Sequence, residues 1–425
     1  MSETRDGNDE GGDGQSEGHR TARLVMVLGI LAGLAYAITV PLVRPSQVAL
    51  ASDVYYHAAR ELLAGGDFYA VSPPDRSASY IYPPVVIAAF VPHALLGSET
   101  AAFALQTLVN LAVGLGTAAI LWRALCRRGV ELTRLDGVLL VGFVLLSAHG
   151  VPTVLMGQTT LPLAFALAVG FDALERDRPG LAGTVFAAAA LVKLFPAIVG
   201  AWLLRLGAWR GVGAALATGL GGLLAGLLAF GPDPTVVYFT EVLPGRFQGE
   251  AFAGTPDPAR ELSTARRQLA ALLPVDPSWL SPLAFLLLAP PVAACYRRID
   301  TDERRLTAIL ATLVGVLLFL PLEPLYFSLL VYPLVGLLYT LEPGPPRKLL
   351  VAGTLLTYVL IGYPTVEIFV GMAPGAVEAA ALAAAETAFT FILPPTVGMW
   401  LLLAACLLVH YGREVGPSLD VTPVE

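Results

Sequence analysis

Residues 52–84 read SDVYYHAARELLAGGDFYAVSPPDRSASYIYPP, and this stretch organises the rest of the chain. It is polar and rich in tyrosine, whereas the chain on both sides of it consists of long apolar runs. A carboxylate, Asp53, stands near its start, and a Tyr-Ile-Tyr-Pro-Pro run closes it. Polar segments between apolar spans lie at a membrane surface, and charges held close to lipid mark functional sites. The stretch is therefore the first candidate for chemistry at a membrane surface.

The composition places the chain among integral membrane proteins. Hydrophobic residues make up 56% of it, charged residues 14%, and the mean hydropathy is +0.70. Soluble domains carry about 25% charged residues. The apolar runs are about 20 residues long, which suits helices that cross the hydrocarbon layer rather than the alternating pattern of a barrel. We therefore predict an all-α polytopic fold with about 11 to 13 transmembrane helices.

Charge near the first span orients the chain. Residues 1–22 are acidic and poor in aliphatic side chains, so they are predicted to form a disordered cytoplasmic tail. The first span, residues 24–43, follows Arg20 and Arg23, and basic residues favour the cytoplasmic side. This orientation puts the loop 44–84 on the outer face.

The remaining boundaries follow from the same rule. One transmembrane domain is predicted over residues 23–411, with a second outer loop at 231–278 and a cytoplasmic tail at 412–425. Residues 85–96 conflict with a regular alternation of membrane crossings between the outer and cytoplasmic sides. They form a re-entrant or tilted piece, or the charge rule is violated there.

Two charged residues lie between apolar runs, Lys193 and Glu323. An unpaired charge within the hydrocarbon costs about 2.5 to 3.5 kcal/mol on insertion scales, so each invites a functional interpretation. The alternative is that they reach the interface or pair with each other. Lys193 is followed by Pro196 between two short apolar pieces, which predicts a broken helix pair with the lysine at its outer tip.

An outer carboxylate together with cations near the lipid surface suits sugar transfer from a phosphorylated lipid. Cations hold the phosphate leaving group, and a carboxylate takes the proton of the acceptor hydroxyl. No serine has an elbow motif, and no P-loop or dinucleotide fingerprint is present. The sequence has no acidic cluster with metal-ligand spacing in the outer segments, so we expect metal-independent chemistry without a cofactor.

Several segments resemble glycosyltransferase family 87, the polyprenol-phosphate-mannose-dependent mannosyltransferases of the C-type integral membrane superfamily. The resemblance rests on the polar stretch with its acidic residue, its Ala-Ala-Arg-Glu-Leu-Leu-Ala-Gly segment and its Tyr-Pro-Pro run. It extends to Met-Gly-Gln-Thr at 156–159 and to Lys193 through Pro196, and covers residues 24–210 well. Later segments depart from the family, since Tyr326 stands about where a histidine is usual.

The resemblance implies a C-type glycosyltransferase fold and a polyprenyl- or dolichyl-phosphate-linked hexose donor, with mannose as the first candidate for the hexose. It also implies a glycolipid or glycan acceptor and inversion on the outer face; membrane lipids are expected partners and nucleic acids are not. Asp53 would be the general base, and the donor phosphate would be held by three cations. A further set of side chains would shape the sugar and acceptor pocket. The phosphate-binding residues are Lys193, Arg260 and Arg266, and the pocket residues are Tyr56, Tyr80, Tyr82, Gln158, Glu323 and Tyr326.

Other interpretations stay open. Tyr80 and Tyr82 could equally anchor the loop at the interface, and Asp53 could be a helix cap or a solvated loop carboxylate. A transporter or lipid flippase would use Lys193 and Glu323 to bind an anionic substrate near the membrane midplane. A catalytically silent assembly subunit is the third possibility. The oligomeric state, the hexose and the acceptor are not indicated by the sequence.

Overall fold

The structure is a computed structural model that describes residues 10–74, 76, 78–245, 256–371 and 375–412. These residues form helices, turns and loops, and no strand occurs among them, which confirms the all-α prediction. Residues 1–9, the segment 246–255 within the predicted second outer loop, and residues 413–425 lie outside the described part. The helices are α1 (Glu10–Val43), α2 (Leu50–Ala64), α3 (Pro84–Ile87), α4 (Val91–Leu95), α5 (Glu99–Arg127), α6 (Arg134–Leu146), α7 (Val151–Met156), α8 (Thr160–Glu175), α9 (Pro179–Val192), α10 (Gly200–Arg205), α11 (Trp209–Phe230), α12 (Pro232–Val237), α13 (Leu243–Gly245), α14 (Ala265–Leu272), α15 (Pro277–Ala294), α16 (Asp302–Phe319), α17 (Val331–Thr340), α18 (Pro345–Thr357), α19 (Tyr363–Val370), α20 (Gly375–Phe391) and α21 (Pro394–Tyr411).

The protein is a multi-pass membrane protein. Within the described residues, five helical stretches are long and apolar enough to cross a membrane, and further apolar helices are shorter. The long stretches are Gly18–Val43, Glu99–Arg127, Trp209–Phe230, Pro277–Ala294 and Val377–Tyr411. The total of 11 to 13 crossings stays a prediction.

The first helix begins earlier than the sequence indicates. Residues 1–22 are predicted to be disordered, whereas α1 starts at Glu10 in the structure. The reason is packing. Ala22 is fully buried, the carbonyl of Gly18 accepts a hydrogen bond from Arg347 Nη2 at 2.7 Å, and the His19 ring lies edge-on to Tyr339.

Contacts between charged turns gather several helix ends at one end of the bundle. Arg128 at the end of α5 pairs with Glu175 at the end of α8. Arg205 at the end of α10 donates to the carbonyl of Tyr296 beyond α15 at 2.8 Å. The turns after α5, α8, α10 and α15 therefore share one end of the bundle, and the side of the membrane on which they lie stays a prediction.

A buried ion pair fixes α1 to α6 at that end. Asp136 is fully buried and receives hydrogen bonds from Arg23 Nε and Nη2, both at 2.8 Å. Its carboxylate also accepts from the Thr133 backbone in a capping box and from the Tyr339 hydroxyl at 2.9 Å. These bonds satisfy the buried carboxylate, as a charge removed from water requires.

The polar stretch lies at the opposite end and is more structured than a loop. Residues 44–84 contain the 15-residue helix α2. The piece that follows, Pro84–Leu95, is broken into α3, a 3-10 turn and α4. At 1.5 Å per residue its 12 residues reach roughly 18 Å, which is too short for a straight crossing of about 30 Å.

Helices α9 and α11 pack at close range because glycines face each other. A Cβ atom added at Gly183 would lie 1.9 Å from the carbonyl oxygen of Gly211. Small residues at such contacts let helix backbones approach closely in membranes. Residues from both helices also line a groove described below.

Candidate active site

Lys193 lies at a break between two helices, as the sequence predicts. Helix α9 ends at Val192, and Lys193 itself has an extended backbone, with φ −138° and ψ 126°. Pro196 has no N–H to donate to the carbonyl of Val192, so the helix cannot continue through this position. A 3-10 turn, Phe195–Val199, then leads into α10.

Three predicted site residues surround the Lys193 ammonium group. Nζ donates to Tyr326 Oη at 3.0 Å and to Gln158 Oε1 at 3.3 Å. It also lies 4.4 Å from the centre of the Tyr326 ring and 5.8 Å from that of Tyr82, within cation–π range. Lys193 is 8% exposed. The structure therefore brings together Tyr82, Gln158, Lys193 and Tyr326, although 133 residues separate the last two in sequence.

A glycine holds Gln158 in place. Gly157 ends α7 with φ +64°, a left-handed conformation that favours glycine. A Cβ atom there would also lie 2.7 Å from Cβ of the fully buried Ser52 on α2. Gly157 thus lets α7 turn sharply against α2, and the turn aims Gln158 at both Lys193 and Tyr55.

Tyr55 belongs to the same network, although it is not among the predicted site residues. Its hydroxyl donates to Gln158 Oε1 at 3.1 Å and lies 2.8 Å from the Tyr82 hydroxyl. A phenol has one O–H, so Tyr82 is the donor in the second bond. Helical periodicity in α2 could have revealed this role, because Tyr55 shares a face with the buried residues Ala51, Ala58 and Ala59.

The lysine cavity is a space of about 130 Å³ beside this network. Its walls come from the end of the polar stretch, the break after α9, and the segment that follows α16. The residues that define it include Tyr82, Lys193, Phe195, Tyr238, Leu322 and Tyr326.

The apolar groove adjoins the lysine cavity and is about 580 Å³ in volume. It runs between α9, α10 and α11, and Leu194, Tyr238 and Leu243 line both spaces. Leu216 and Leu220 line it too and are exposed, so the groove opens toward the lipid-facing surface of α11. A cation in a small cavity at the end of an apolar groove suits a ligand with an anionic head and a hydrocarbon chain.

Asp53 does not line the lysine cavity. It projects from the first turn of α2, and Tyr55 follows about 200° around the helix. Its carboxylate pairs with Arg76, with Nη2 2.8 Å from Oδ2. Arg76 also donates to the carbonyls of Ser46 at 2.7 Å and Val48 at 3.2 Å, and no sequence signal pointed to it.

Burial raises the pKa of the Asp53 carboxyl above its ordinary value, and Arg76 opposes the rise. Glu99 raises the pKa of this carboxyl further, whereas His57 lowers it. A carboxylate with a raised pKa is a stronger base than an ordinary aspartate. Asp53 is 5% exposed and is not a solvated loop residue.

The structure does not place Tyr56 and Tyr80 at the lysine cavity. Tyr80 is 1% exposed and packs in an aromatic cluster against Phe68, Tyr69 and Tyr82. Among the described residues, its hydroxyl contacts the carbonyl of Pro83, at 3.5 Å. Tyr56 lies on the Asp53 face of α2, where Arg60 covers its ring. Both rings are buried among side chains outside the lysine cavity, and the sugar-pocket roles of Tyr56 and Tyr80 stay predictions.

The predicted phosphate ligands Arg260 and Arg266 lie in different surroundings. Arg266 is 5% exposed, and its guanidinium carbon lies 4.8 Å from the centre of the Phe319 ring, next to Leu320 of the lysine cavity. Burial lowers the pKa of Arg266, and no carboxylate among the described residues contributes to that shift. Arg260 is exposed and faces Asp257 at 3.8 Å.

Arg260 and Glu323 line a second cavity of about 500 Å³. Lys193 and Glu323 therefore face different cavities. In the described part of the chain, no group of three or more His, Cys, Asp or Glu side chains is arranged to hold a metal ion.

Comparison with known proteins gives a family and a structural likeness. Comparison with curated proteins gave no match. Among solved structures, the chain is similar to ArnT from Cupriavidus metallidurans, in a crystal structure described as bound to undecaprenyl phosphate. The TM-score is 0.42 and the identity 14%, over 90% of this chain and 78% of that one. The model of glycosyltransferase family 87 matches residues 80–324, more than half of the chain, in a range that includes Gln158 and Lys193 but not Asp53. The chain belongs to glycosyltransferase family 87.

Proposed function

We propose that this membrane glycosyltransferase transfers a hexose from a polyprenyl- or dolichyl-phosphate donor to a glycolipid or glycan acceptor. Mannose is the first candidate for the hexose. Transfer takes place on the outer face, within a C-type fold, and inverts the anomeric carbon. Asp53 is the general base. The observation that carries the proposal is the lysine cavity, where a buried ammonium group lies at the end of an apolar groove open to lipid.

The groove and the cavity match the two parts of such a donor. The hydrocarbon chain packs along α9, α10 and α11, where burial of apolar surface contributes about 25 cal/mol per Å². The phosphate reaches Lys193 in a largely water-excluded site, where a cation interacts more strongly than in water. Tyr82, Gln158 and Tyr326 fix the direction of the ammonium group.

Arg266 supplies a second reason to expect an anion here. A guanidinium removed from water is costly unless it is paired, and Phe319 compensates for only part of that cost. Phe319 adjoins Leu320, a wall of the lysine cavity. A donor phosphate held between Lys193 and Arg266 would contact both buried cations.

The reaction is a single displacement. The acceptor oxygen forms a bond to the anomeric carbon while the bond from that carbon to the phosphate oxygen breaks. The acceptor proton goes to the Asp53 carboxylate, and polyprenyl phosphate leaves with its negative charge stabilised by the cations. Arg76 forms an ion pair with the Asp53 carboxylate in this structure. The acceptor hydroxyl therefore hydrogen-bonds to that carboxylate either beside Arg76 or after displacing it.

A transporter that couples Lys193 to Glu323 is less well supported. Such a mechanism needs both residues at one substrate site, and here they line separate cavities. Family membership also favours transfer over transport.

The test uses the full chain, reconstituted in liposomes with labelled polyprenyl-phosphate mannose and a lipid extract as acceptor. We expect label to pass to a glycolipid, and Asp53→Asn to lower kcat/KM by about 10²- to 10⁴-fold. Asp67→Asn is the matched control, since Asp67 is an exposed carboxylate of the same stretch. The proposal fails if Asp53→Asn transfers label as fast as the wild type. It also fails if the protein moves a labelled solute in a Lys193-dependent way and leaves the donor lipid intact.

A further inference from the structure

The second cavity lies at the same end of the bundle as the lysine cavity and has an unusual lining. It is about 500 Å³ in volume, within the range of small-molecule sites. Its charged side chains are two arginines and two glutamates, so their formal charges cancel. They are Arg44, Arg260, Glu261 and Glu323.

Arg44 and Glu261 form a bidentate ion pair within this lining. Arg44 Nη1 donates to Glu261 Oε2 at 3.1 Å, and Nη2 donates to Oε1 at 2.9 Å. The pair is about three-quarters buried, and it joins the end of α1 to the segment before α14. A bidentate pair presents fixed donors and acceptors side by side, which is a pattern that hydroxyl groups can match.

The rest of the wall is apolar. Met156, Leu325, Leu360 and Pro395 contribute to it, and the half-buried Tyr36 ring lies among them. A sugar ring carries hydroxyls at its rim and C–H groups on its faces, so it suits a wall that is polar on one side and apolar on the other.

Three segments connect this cavity to the proposed catalytic groups. Gln47 lines it, and the neighbouring carbonyls of Ser46 and Val48 hold Arg76 against Asp53. Leu325 lines it, and the next residue, Tyr326, accepts a hydrogen bond from Lys193. In the same way, Met156 in its wall is two residues from Gln158.

We propose that the second cavity binds the neutral sugar headgroup of the acceptor, with the Arg44–Glu261 pair as its hydrogen-bonding clamp. This inference rests on the proposed function. Because the charges of the lining cancel, the cavity selects a neutral polyol over a phosphorylated or carboxylated headgroup. Residues 320–322 line the lysine cavity, and residues 323–325 line the second cavity. Donor and acceptor then enter from opposite sides of the segment 320–326.

Gly362 provides a sharp probe of the clamp. It lines the cavity, and a Cβ atom there would lie 2.1 Å from Glu261 Oε1. Its φ of −111° is open to any residue, so Gly362→Ala acts on the Glu261 side chain and not on the backbone. Gly213→Ala is the matched control, since no atom lies within 4 Å of a Cβ atom at that helical position.

The experiment is photo-crosslinking of the full chain in lipid nanodiscs with a neutral octyl hexoside that carries a diazirine on its sugar. We expect label on residues 44–47, 259–262 or 359–364, and a loss of about tenfold in yield for Gly362→Ala but not for Gly213→Ala. A matched octyl uronide should label the wild type more weakly. Glu261→Ala is a second variant with the same expected loss, should Gly362→Ala fold poorly.

The two proposals fail separately. Label confined to other segments, equal labelling by the uronide, or unchanged labelling of both variants would overturn the acceptor site even if hexose transfer is observed. Crosslinking does not require transfer. Label in the second cavity without any transfer would therefore support the sugar site and count against the proposed function alone.

Discussion

Arg76 Nη2 lies 2.8 Å from Asp53 Oδ2, and the same guanidinium donates to the carbonyls of Ser46 and Val48. The arginine thus ties the only charged residue in the first turn of α2 to the connection between α1 and α2. An opposite charge at this distance stabilises the ionised carboxylate, which is the form a general base needs.

The first prediction concerns the pH dependence of Arg76→Gln. A base acts only when deprotonated, so kcat/KM falls as the pH drops through the pKa of Asp53. Burial raises that pKa and Arg76 lowers it, so removal of the arginine raises the pKa further. The acid limb of the profile should move to higher pH, and activity on the alkaline plateau should be less affected. Arg60→Gln on the same helix is the control; a limb that stays in place for Arg76→Gln would contradict the base assignment.

The second prediction compares the two lysines of the chain. Lys193→Gln keeps hydrogen-bonding capacity toward Gln158 and Tyr326 but removes the charge. It should lower kcat/KM for the donor lipid by about 10²- to 10³-fold, as loss of a transition-state charge partner does. Lys348→Gln, at an exposed position in α18, should leave the rate unchanged. Equal effects of the two substitutions would show that Lys193 has no special role.

The third prediction separates Tyr80 from Tyr82. Tyr80→Phe removes only a long contact to a carbonyl, so kcat/KM and thermal stability should stay near those of the wild type. Tyr82→Phe removes the hydroxyl that contacts Tyr55 in the Lys193 network, so it should lower kcat/KM. Tyr80→Ala should lower the free energy of unfolding by about 3 to 5 kcal/mol, since it empties a buried ring site. A loss of activity in Tyr80→Phe without a loss of stability would support the predicted role of this residue in the sugar pocket.

The fourth prediction concerns stability at the other end of the bundle. Asp136→Asn leaves Arg23 without its buried partner and should lower the free energy of unfolding by about 3 kcal/mol. Thermal unfolding in detergent measures this loss. The double variant Arg23→Met with Asp136→Leu should recover most of it, because well-packed apolar residues often replace a buried pair without cost. No recovery would mean that Thr133 and Tyr339 carry more of the energy than the ion pair does.

Much of the site can be predicted from the sequence because short-range features of the chain determine it. The proline after Lys193 dictates the end of α9, and an apolar context makes the lysine conspicuous. The same holds for the class of protein, since long apolar helices follow from composition. Gln158 and Tyr326 could be proposed from a family pattern, but their contact with Lys193 depends on how α7, α9 and the segment before α17 pack.

Other parts depend on packing that no local rule describes. Arg76 stands 23 residues from Asp53 in a proline-rich segment, and nothing in its neighbours indicates a partner. Tyr80 and Tyr82 are two residues apart and look alike in sequence, yet one is buried in an aromatic cluster and the other lines the lysine cavity. Residues 18–22 look like a solvated tail because the surfaces that cover them come from α17 and α18.

The groove between α9, α10 and α11 is bordered by exposed leucines and opens toward lipid. A donor that enters through it never leaves the bilayer, so its encounters with Lys193 are a two-dimensional process. The quantity that sets the rate is then the mole fraction of donor among the membrane lipids, and not its concentration in the vessel. Dilution of the liposomes with buffer should leave turnover constant, whereas dilution of the donor with inert phospholipid should slow it.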